Sequence, residues 1–277
     1  MFESVSGNAI TSARLTRIDE ELTPSPRSMS RADLITALRN EVFRYFPAQA
    51  LPLDPQWSDP VEAQGRTVRK VSYQSFEGLR VRAVYSVPSG ATARLPAVLV
   101  VDDRRGIPVW GNEQPLERSH WGNRAVLIVE TLDQGSRALE QNLRSFSDND
   151  AAHHMRRQAM IMGTTVESMQ VYEVLRSLEL LQSLPEVDPT RITLTGKGEA
   201  GINGLYAALL SGKREQVVLG SPPASHRQGP HYLGILRYTD IADVVSVMGE
   251  SVRAYGEVPE SLRARASVCA SLAACLP

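Results

Sequence analysis

The segment from Asp188 to Leu210 constrains the fold of this chain more than any other. A β-like stretch, Arg191 to Thr195, runs into the turn Gly196-Lys-Gly-Glu-Ala-Gly201, and the residues after the turn continue in a helical pattern. Glycines at such a junction let a strand and the next helix approach closely, because they carry no side chain. The segment therefore predicts a strand–turn–helix unit of an α/β fold.

Apolar runs elsewhere predict the sheet that contains this unit. Leu95 to Val101 and Arg124 to Val129 are continuous apolar runs, which are typical of strands buried on both faces, and Gln216 to Leu219 supplies another. One long helix is predicted from about Ala151 to Leu184, where Pro185 ends it. This alternation favours a mainly parallel sheet between helices.

The start of the chain predicts a leader followed by a hairpin. Ser30-Arg-Ala-Asp33 resembles a capping box before an amphipathic helix that ends at Pro47. Thr67 to Tyr73 and Leu79 to Pro88 are β-like and predict an antiparallel hairpin that opens the sheet. We expect an N-terminal leader and helix over residues 1–60 and one α/β domain over residues 61–277.

Composition restricts the classes of partner. The 277 residues carry 30 basic and 31 acidic side chains, so no net field favours nucleic acid or an anionic membrane. No signal peptide and no apolar run of roughly 20 residues is evident, so a soluble chain is expected. Cys269 and Cys275 lie near the C-terminus without a second pair or a nearby histidine, so neither a disulfide framework nor a zinc site is expected.

Two chemistries use a glycine-rich turn of this kind. In a nucleophile elbow, G-x-S-x-G, small residues flank a sharply turned serine, and the next amide helps to hold an oxyanion. Gly196, Ala200 and Gly201 meet the small-residue requirement, and Glu199 occupies the oxyanion position. The serine position is Gly198, which has no side chain with which to attack.

The same turn also matches the dinucleotide fingerprint G-x-G-x-x-G. That interpretation expects an acidic residue about 20 positions later, at the end of the next strand. The next strand ends instead at Leu219-Gly-Ser-Pro-Pro223, and at least four predicted strands precede the turn. The dinucleotide interpretation is therefore disfavoured, and no cofactor is expected.

Around the elbow, the chain resembles the acetylxylan-esterase-like branch of the α/β-hydrolases. The resemblance runs from about Thr67 to Tyr255 and rests on the hairpin, the segment Gly163 to Arg176, the phrase Leu184-Pro-Glu-Val-Asp-Pro-Thr-Arg-Ile192 and the elbow. It implies a serine nucleophile, a later acid and a last histidine, in that order along the chain.

Mapping this order onto the chain leaves the implied triad incomplete. The nucleophile falls on Gly198, a second oxyanion donor would come from the loop Asp102 to Gly106, and Glu257 is a loose candidate for the acid. All five histidines precede the position of the last histidine. They are His120, His153, His154, His226 and His231. The sequence therefore predicts an α/β-hydrolase-like domain with a shortened C-terminal end that lacks or replaces the last strand and its histidine.

An alternative centre could use other residues at the carboxyl edge of the sheet. Ser221 follows the strand after the elbow, and His231 and Asp240 lie downstream with His226 and Asp243, so a serine–histidine–carboxylate set is compatible with the composition. A turn role for Ser221, which precedes two prolines, is the competing interpretation.

Three further groups of residues are candidates for ligand or metal sites. Asp102, Asp103, Arg104 and Arg105 could bind a polar ligand or neutralise one another. The adjacent rings of His153 and His154 would point about 100° apart on a helix, so no metal site is expected. Aromatic side chains could stack on a carbohydrate or belong to the core. These are Trp110, Trp121 and Tyr232.

Two functions therefore remain open from the sequence. One is a carboxylic ester hydrolase that acts on an acylated carbohydrate or a similar small ester with an unconventional or incomplete catalytic set. The alternative is a non-catalytic, hydrolase-like module that binds a ligand or a partner, because a hydrolase fold does not by itself guarantee hydrolysis.

Overall fold

The computed structural model of the protein contains one large mixed sheet with helices packed on it. It describes residues 29–101, 121–134, 137 and 148–277. Within those residues the sheet has the strand order β1-β3-β4-β6-β5-β7-β8-β9-β10, and β2 pairs with β3. The strands are β1 Gln56–Trp57, β2 Val61–Ala63, β3 Arg66–Gln74, β4 Arg80–Pro88, β5 Leu95–Val101, β6 Ala125–Glu130, β7 Val187–Lys197, β8 Gln216–Gly220, β9 Val252–Tyr255 and β10 Ser267–Cys269.

The predicted hairpin and parallel sheet are confirmed. Strands β3 and β4 pair antiparallel from Arg66↔Pro88 to Gln74↔Arg80, and β4 pairs antiparallel with β6. From β6 onward, all neighbouring strands run parallel through β5, β7, β8, β9 and β10. Their carboxyl ends therefore lie at one edge of the sheet and their amino ends at the other.

The predicted single helix before β7 is two helices. The first ends at Ile161, and the second begins after Thr165, whose side chain accepts a hydrogen bond from the amide of Ser168. Gly163 between them adopts φ +83°, a left-handed conformation that ends the first helix. The helices are α1 Arg31–Ala37, α2 Asp148–Ile161, α3 Val166–Ser183, α4 Gly198–Ser211, α5 Ile241–Met248, α6 Glu260–Arg263 and α7 Leu272–Cys275.

The core lies on both faces of the sheet. Alternate side chains of β5 show the division, because Leu99 joins the larger cluster under α3 and α4 whereas Val98 joins the smaller cluster with Trp121. The predicted N-terminal helix is present with Ser30 as its cap, and Leu34 packs into the larger cluster. It is α-helical over Arg31–Ala37 and continues as a π-helix, Leu38–Val42, that ends before Pro47. The division of the chain at residue 60 stays a prediction.

The C-terminal end differs from expectation in two respects. A last strand is present, since β10 pairs parallel with β9 from Ser267↔Arg253 to Cys269↔Tyr255. Cys269 and Cys275 form a disulfide, which corrects the expectation that they are unpaired. The turn from β10 into α7 brings their Cα atoms to 5.5 Å, a distance that a disulfide can span.

Among the helices in the described part of the chain, none is long and apolar enough to cross a membrane.

Candidate functional site

The elbow has the geometry that the sequence predicts. Strand β7 ends at Lys197, and α4 begins at Gly198, which adopts φ +53°. A Cβ atom on Gly196 would lie 2.8 Å from the amide nitrogen of Gly201, and one on Gly201 would lie 2.5 Å from the carbonyl oxygen of Gly196. The two flanking glycines are therefore required by the close approach of strand and helix.

Gly198 occupies the sharp point of this turn. A Cβ atom built on it meets no heavy atom within 4 Å, so a side chain there would project into open space. The left-handed φ is strained for most residues other than glycine. This is the position from which an elbow serine would reach a substrate, and the chain places no side chain at it.

A cavity of about 410 Å³ lies over the elbow. This volume falls in the range of small-molecule sites. Polar side chains from the elbow, from α2 and α3 and from the loops after β6 and β8 line most of it. The lining residues are Thr131, Gln134, Arg156, Glu167, Gln170, Lys197, Gly198, Glu199, Ala200, Asn203, Ser221, Pro223 and Gln228.

A chain of buried hydrogen bonds supports the cavity floor. The amide nitrogen of Gln170 donates to the carbonyl oxygen of Leu132 at 2.6 Å, and its oxygen accepts from Nδ2 of Asn203 at 2.9 Å. The Tyr232 hydroxyl donates to Oδ1 of Asn203 at 2.6 Å. Because each amide is held at both ends, the polar groups presented to the cavity are fixed in orientation.

Charged groups on the cavity wall divide into paired and unpaired ones. Arg156 donates to Asp133 at 3.1 Å and to Glu167 at 3.3 Å. The side chains of Lys197 and Glu199 flank Gly198 and make no hydrogen bond or ion pair within the described residues. These two side chains are free to contact a bound molecule.

A buried ion pair holds the loop after β6 against α3. The Glu173 carboxylate is fully buried and accepts two hydrogen bonds of 2.7 Å from Arg137, one of 2.6 Å from the amide of Leu132 and one of 3.0 Å from the Ser75 hydroxyl. This loop carries Gln134 to the cavity wall. No local pattern predicts this pair, because its members are 36 residues apart and their contact depends on packing.

The predicted alternative centre is not joined by hydrogen bonds. Ser221 lines the cavity with φ +42°, and its hydroxyl accepts from the amide of Glu257 at 3.1 Å. Asp240 caps α5 and accepts from the amide of His226 at 2.9 Å. His231 is exposed and lies outside the cavity lining. The catalytic assignment of Ser221, His231 and Asp240 stays a prediction.

His226 is held in a buried aromatic cluster. Its Nε2 accepts from the Tyr206 hydroxyl at 2.7 Å, and its Nδ1 donates to the carbonyl oxygen of Pro230 at 2.8 Å. A carbonyl can only accept, so the proton of the neutral ring sits on Nδ1. Burial lowers the pKa of His226 below its usual value. Both ring nitrogens are occupied, so this histidine has no free base for a nucleophile.

Several predicted positions have other placements. Asp102, Asp103, Arg104 and Arg105 lie outside the described residues, as do Trp110 and His120. Trp121 and Tyr232 are core residues, 8% and 3% exposed. His154 is exposed on α2, and the described residues contain no group of three or more His, Cys, Asp or Glu side chains that could hold a metal.

The resemblance implies an acid after the next-to-last strand and a histidine after the last strand, and these strands are β9 and β10. Glu257 follows β9 at the carboxyl edge and is exposed. The turn after β10 is Ala270-Ser271, which leads into α7 and is closed by the disulfide.

Comparison with known proteins identifies a family. The family model for acetyl xylan esterase (AXE1) matches residues 49–229, about two thirds of the chain. No curated protein sequence matches. The match ends before β9 and β10, so it covers the elbow and omits the strands that would carry the acid and the histidine.

Solved structures share the fold. A protein of Bacteroides fragilis NCTC 9343 assigned as an acetyl xylan esterase superposes with a TM-score of 0.67 at 12% identity, covering 92% of this chain and 76% of that one. The acetyl xylan esterase of Paenibacillus sp. R4 gives 0.57 at 19% identity, over 83% and 80%. Acetyl xylan esterase 1 of Thermoanaerobacterium sp. JW/SL YS485 gives 0.55 at 14% identity, over 92% and 89%. The predicted α/β-hydrolase fold is therefore confirmed.

Proposed function

We propose that this chain, which belongs to the acetyl xylan esterase family of α/β-hydrolases, binds an acylated carbohydrate in the elbow cavity without hydrolysing it. One observation carries the proposal. Gly198 stands at the nucleophile position of an otherwise intact elbow, with open space above it. A strand–turn–helix unit of this shape still offers backbone amides to a bound carbonyl oxygen, but it has no atom that attacks the carbonyl carbon.

The hydrogen bonds of His226 support the same conclusion. An attacking hydroxyl needs a base within hydrogen-bond reach. Both ring nitrogens of the buried His226 are already hydrogen-bonded. A serine introduced at the turn would therefore find no free base at His226.

The cavity lining favours a polyhydroxylated ligand. Asn203, Gln170, Thr131 and Gln228 supply neutral hydrogen-bonding groups, while Lys197 and Glu199 add charged ones. Hydroxyl groups of a sugar both donate and accept, so they match a wall of mixed donors and acceptors. The family's name, acetyl xylan esterase, makes acetylated xylo-oligosaccharides the ligands to test first.

Hydrolysis of p-nitrophenyl acetate by the purified protein tests the catalytic half of the proposal. We expect no rate above that of heat-unfolded protein, either for the natural chain or for Gly198→Ser. Activity in the natural chain that is lost on unfolding would overturn the proposal. Activity in Gly198→Ser alone would show that a base lies within reach of the turn and would contradict the account of His226.

Titration calorimetry with acetylated xylo-oligosaccharide tests binding. We expect saturable binding that weakens at least about tenfold in Lys197→Ala/Glu199→Ala, which is about 1.4 kcal/mol. The matched control is Arg157→Ala/Glu77→Ala, since both side chains are exposed and the net charge changes equally. Equal affinity in both double variants would place the ligand elsewhere, and no binding would refute the proposal.

Ester hydrolysis through Ser221 is the second candidate. Its hydroxyl lines the cavity, and φ +42° is an uncommon backbone conformation of the kind found at functional sites. If the natural chain hydrolyses the ester, Ser221→Ala and His231→Ala should both abolish the rate while the fold is retained. Unchanged rates in both variants would eliminate this centre.

A further inference from the structure

A second cavity lies at the opposite edge of the sheet from the elbow. It has a volume of about 780 Å³ and is formed where strands β5, β7, β8 and β9 begin. Arg191 is on its wall near the start of β7, and Lys197 at the elbow ends the same strand. At about 3.3 Å per residue, the two sites are separated by roughly 20 Å along β7. A molecule in one cavity therefore does not occupy the other.

The lining of this cleft is strongly basic. Five guanidinium groups face one acidic side chain, Glu250, although the whole chain has a net charge of -1. The five come from α1, from the residue before β6, from β7, from the turn before β8 and from β9. They are Arg31, Arg124, Arg191, Arg214 and Arg253. Like charges gathered in a concave site repel one another and create a positive potential that attracts anions.

Three of these arginines are fixed by the backbone. Arg31 donates to the carbonyl oxygen of Lys213 at 2.7 Å, Arg253 donates to that of Cys275 at 2.7 Å, and Arg124 donates to that of Trp121 at 3.3 Å. Arg124 also donates to an oxygen of Pro277, the last residue of the sequence. The carbonyl oxygens of Lys213, Cys275 and Trp121 are neutral acceptors, so those bonds orient the guanidinium groups without cancelling their charge. A guanidinium group has five N–H donors, so donors remain for a ligand.

The other two arginines have no such bonds. The side chains of Arg191 and Arg214 are exposed and make no hydrogen bond or ion pair within the described residues. Asp188 is a carboxylate on the same strand, β7. Its pKa is lowered mainly by hydrogen bonds from Thr190, and the positive charge of Arg191 lowers it further. Arg191 and Arg214 therefore keep their full set of donors available to a molecule in the cleft.

Part of the wall is apolar. Pro96, Ala97, Ile192 and Val247 line the cleft beside the guanidinium groups. A wall that joins fixed cations to an apolar surface suits a small molecule with several anionic groups and a less polar body. The enclosed volume lies within the range of small-molecule sites.

We propose that this cleft is a binding site for a small polyanion that carries several phosphate or carboxylate groups. Planar guanidinium groups bind either group through paired hydrogen bonds, which are strengthened by charge. The preorganised Arg31, Arg124 and Arg253 position the anion, and the free Arg191 and Arg214 close on it. The site is independent of the elbow cavity and of any activity there.

Titration calorimetry on the full chain tests the proposal, with sodium tripolyphosphate and sodium citrate as probes for the two anionic groups. We expect saturable binding of one anion per chain for at least one probe, weakened by raised salt because exposed charges are screened. The probe that binds more tightly identifies phosphate or carboxylate as the preferred group. Binding of neither probe would overturn the proposal.

A pair of double variants locates the binding. Arg191→Ala/Arg214→Ala should weaken binding at least about tenfold. Arg157→Ala/Arg237→Ala removes the same two charges from exposed positions outside the cleft and should change affinity less than about twofold. Equal weakening in both pairs would reveal unspecific attraction and would refute the site, as would full binding in Arg191→Ala/Arg214→Ala. Far-ultraviolet circular dichroism checks that each variant is folded.

Discussion

The buried pair between Glu173 and Arg137 gives the sharpest stability prediction. Their side chains are 0% and 9% exposed, and the carboxylate accepts four hydrogen bonds. Glu173→Gln keeps the shape of the side chain, removes its charge and turns one acceptor into a donor that faces the guanidinium group. Arg137 is then left buried beside a neutral group. Breaking a buried pair in this way costs about 3–5 kcal/mol of unfolding free energy.

Urea unfolding followed by circular dichroism measures that loss. The control is Asp54→Asn, which removes the partner of Arg80 in an ion pair whose side chains are 57% and 35% exposed. Solvent screens that pair, so the control should lose no more than about 1 kcal/mol. A loss below about 1 kcal/mol in Glu173→Gln would refute the reasoning, because it would mean that water or a structural change compensates Arg137.

A double variant separates the interaction from the individual side chains. Arg137→Met alone leaves Glu173 as a buried, uncompensated carboxylate, so it should also be strongly destabilising. Glu173→Gln/Arg137→Met removes both charges and should lose less free energy than the sum of the two single changes. Additive losses would show that the two side chains do not interact.

Two further predictions concern the elbow and the buried histidine. Gly201→Ala should lose about 1–3 kcal/mol of unfolding free energy in the same urea assay, because its Cβ would lie 2.5 Å from the Gly196 carbonyl oxygen. The folded state lowers the pKa of His226, so unfolding takes up a proton and stability should fall as the pH drops below about 6.5. His226→Gln should reduce this decline in the thermal midpoint relative to the natural chain.

Local patterns in the sequence located most of the elements. The continuous apolar run Leu95 to Val101 became β5 with the same bounds, because its residues are buried on both faces of the sheet. The Ser30 cap could also be predicted from local sequence, since it depends on a hydrogen bond between residues three positions apart. The break at Gly163 was missed because apolar spacing on both sides of the turn is compatible with one helix.

The C-terminal end shows why short elements are difficult to predict from the sequence. Strand β10 has three residues, Ser267–Cys269, and only pairing with β9 makes it a strand. Its length is too small for an alternating pattern to be visible. The disulfide was missed for the same reason, since the approach of Cys269 and Cys275 depends on the turn that follows this strand.

Local sequence is enough to predict the elbow and the glycine at its nucleophile position. Glycine at position 198 removes the side chain whatever the surroundings. Which distant polar groups meet depends instead on the tertiary structure. The Glu173–Arg137 pair, the cavity over Gly198 and the basic cleft join residues far apart in the chain. Charge and hydrogen bonding act through space, and only the packing of the sheet and helices fixes those distances.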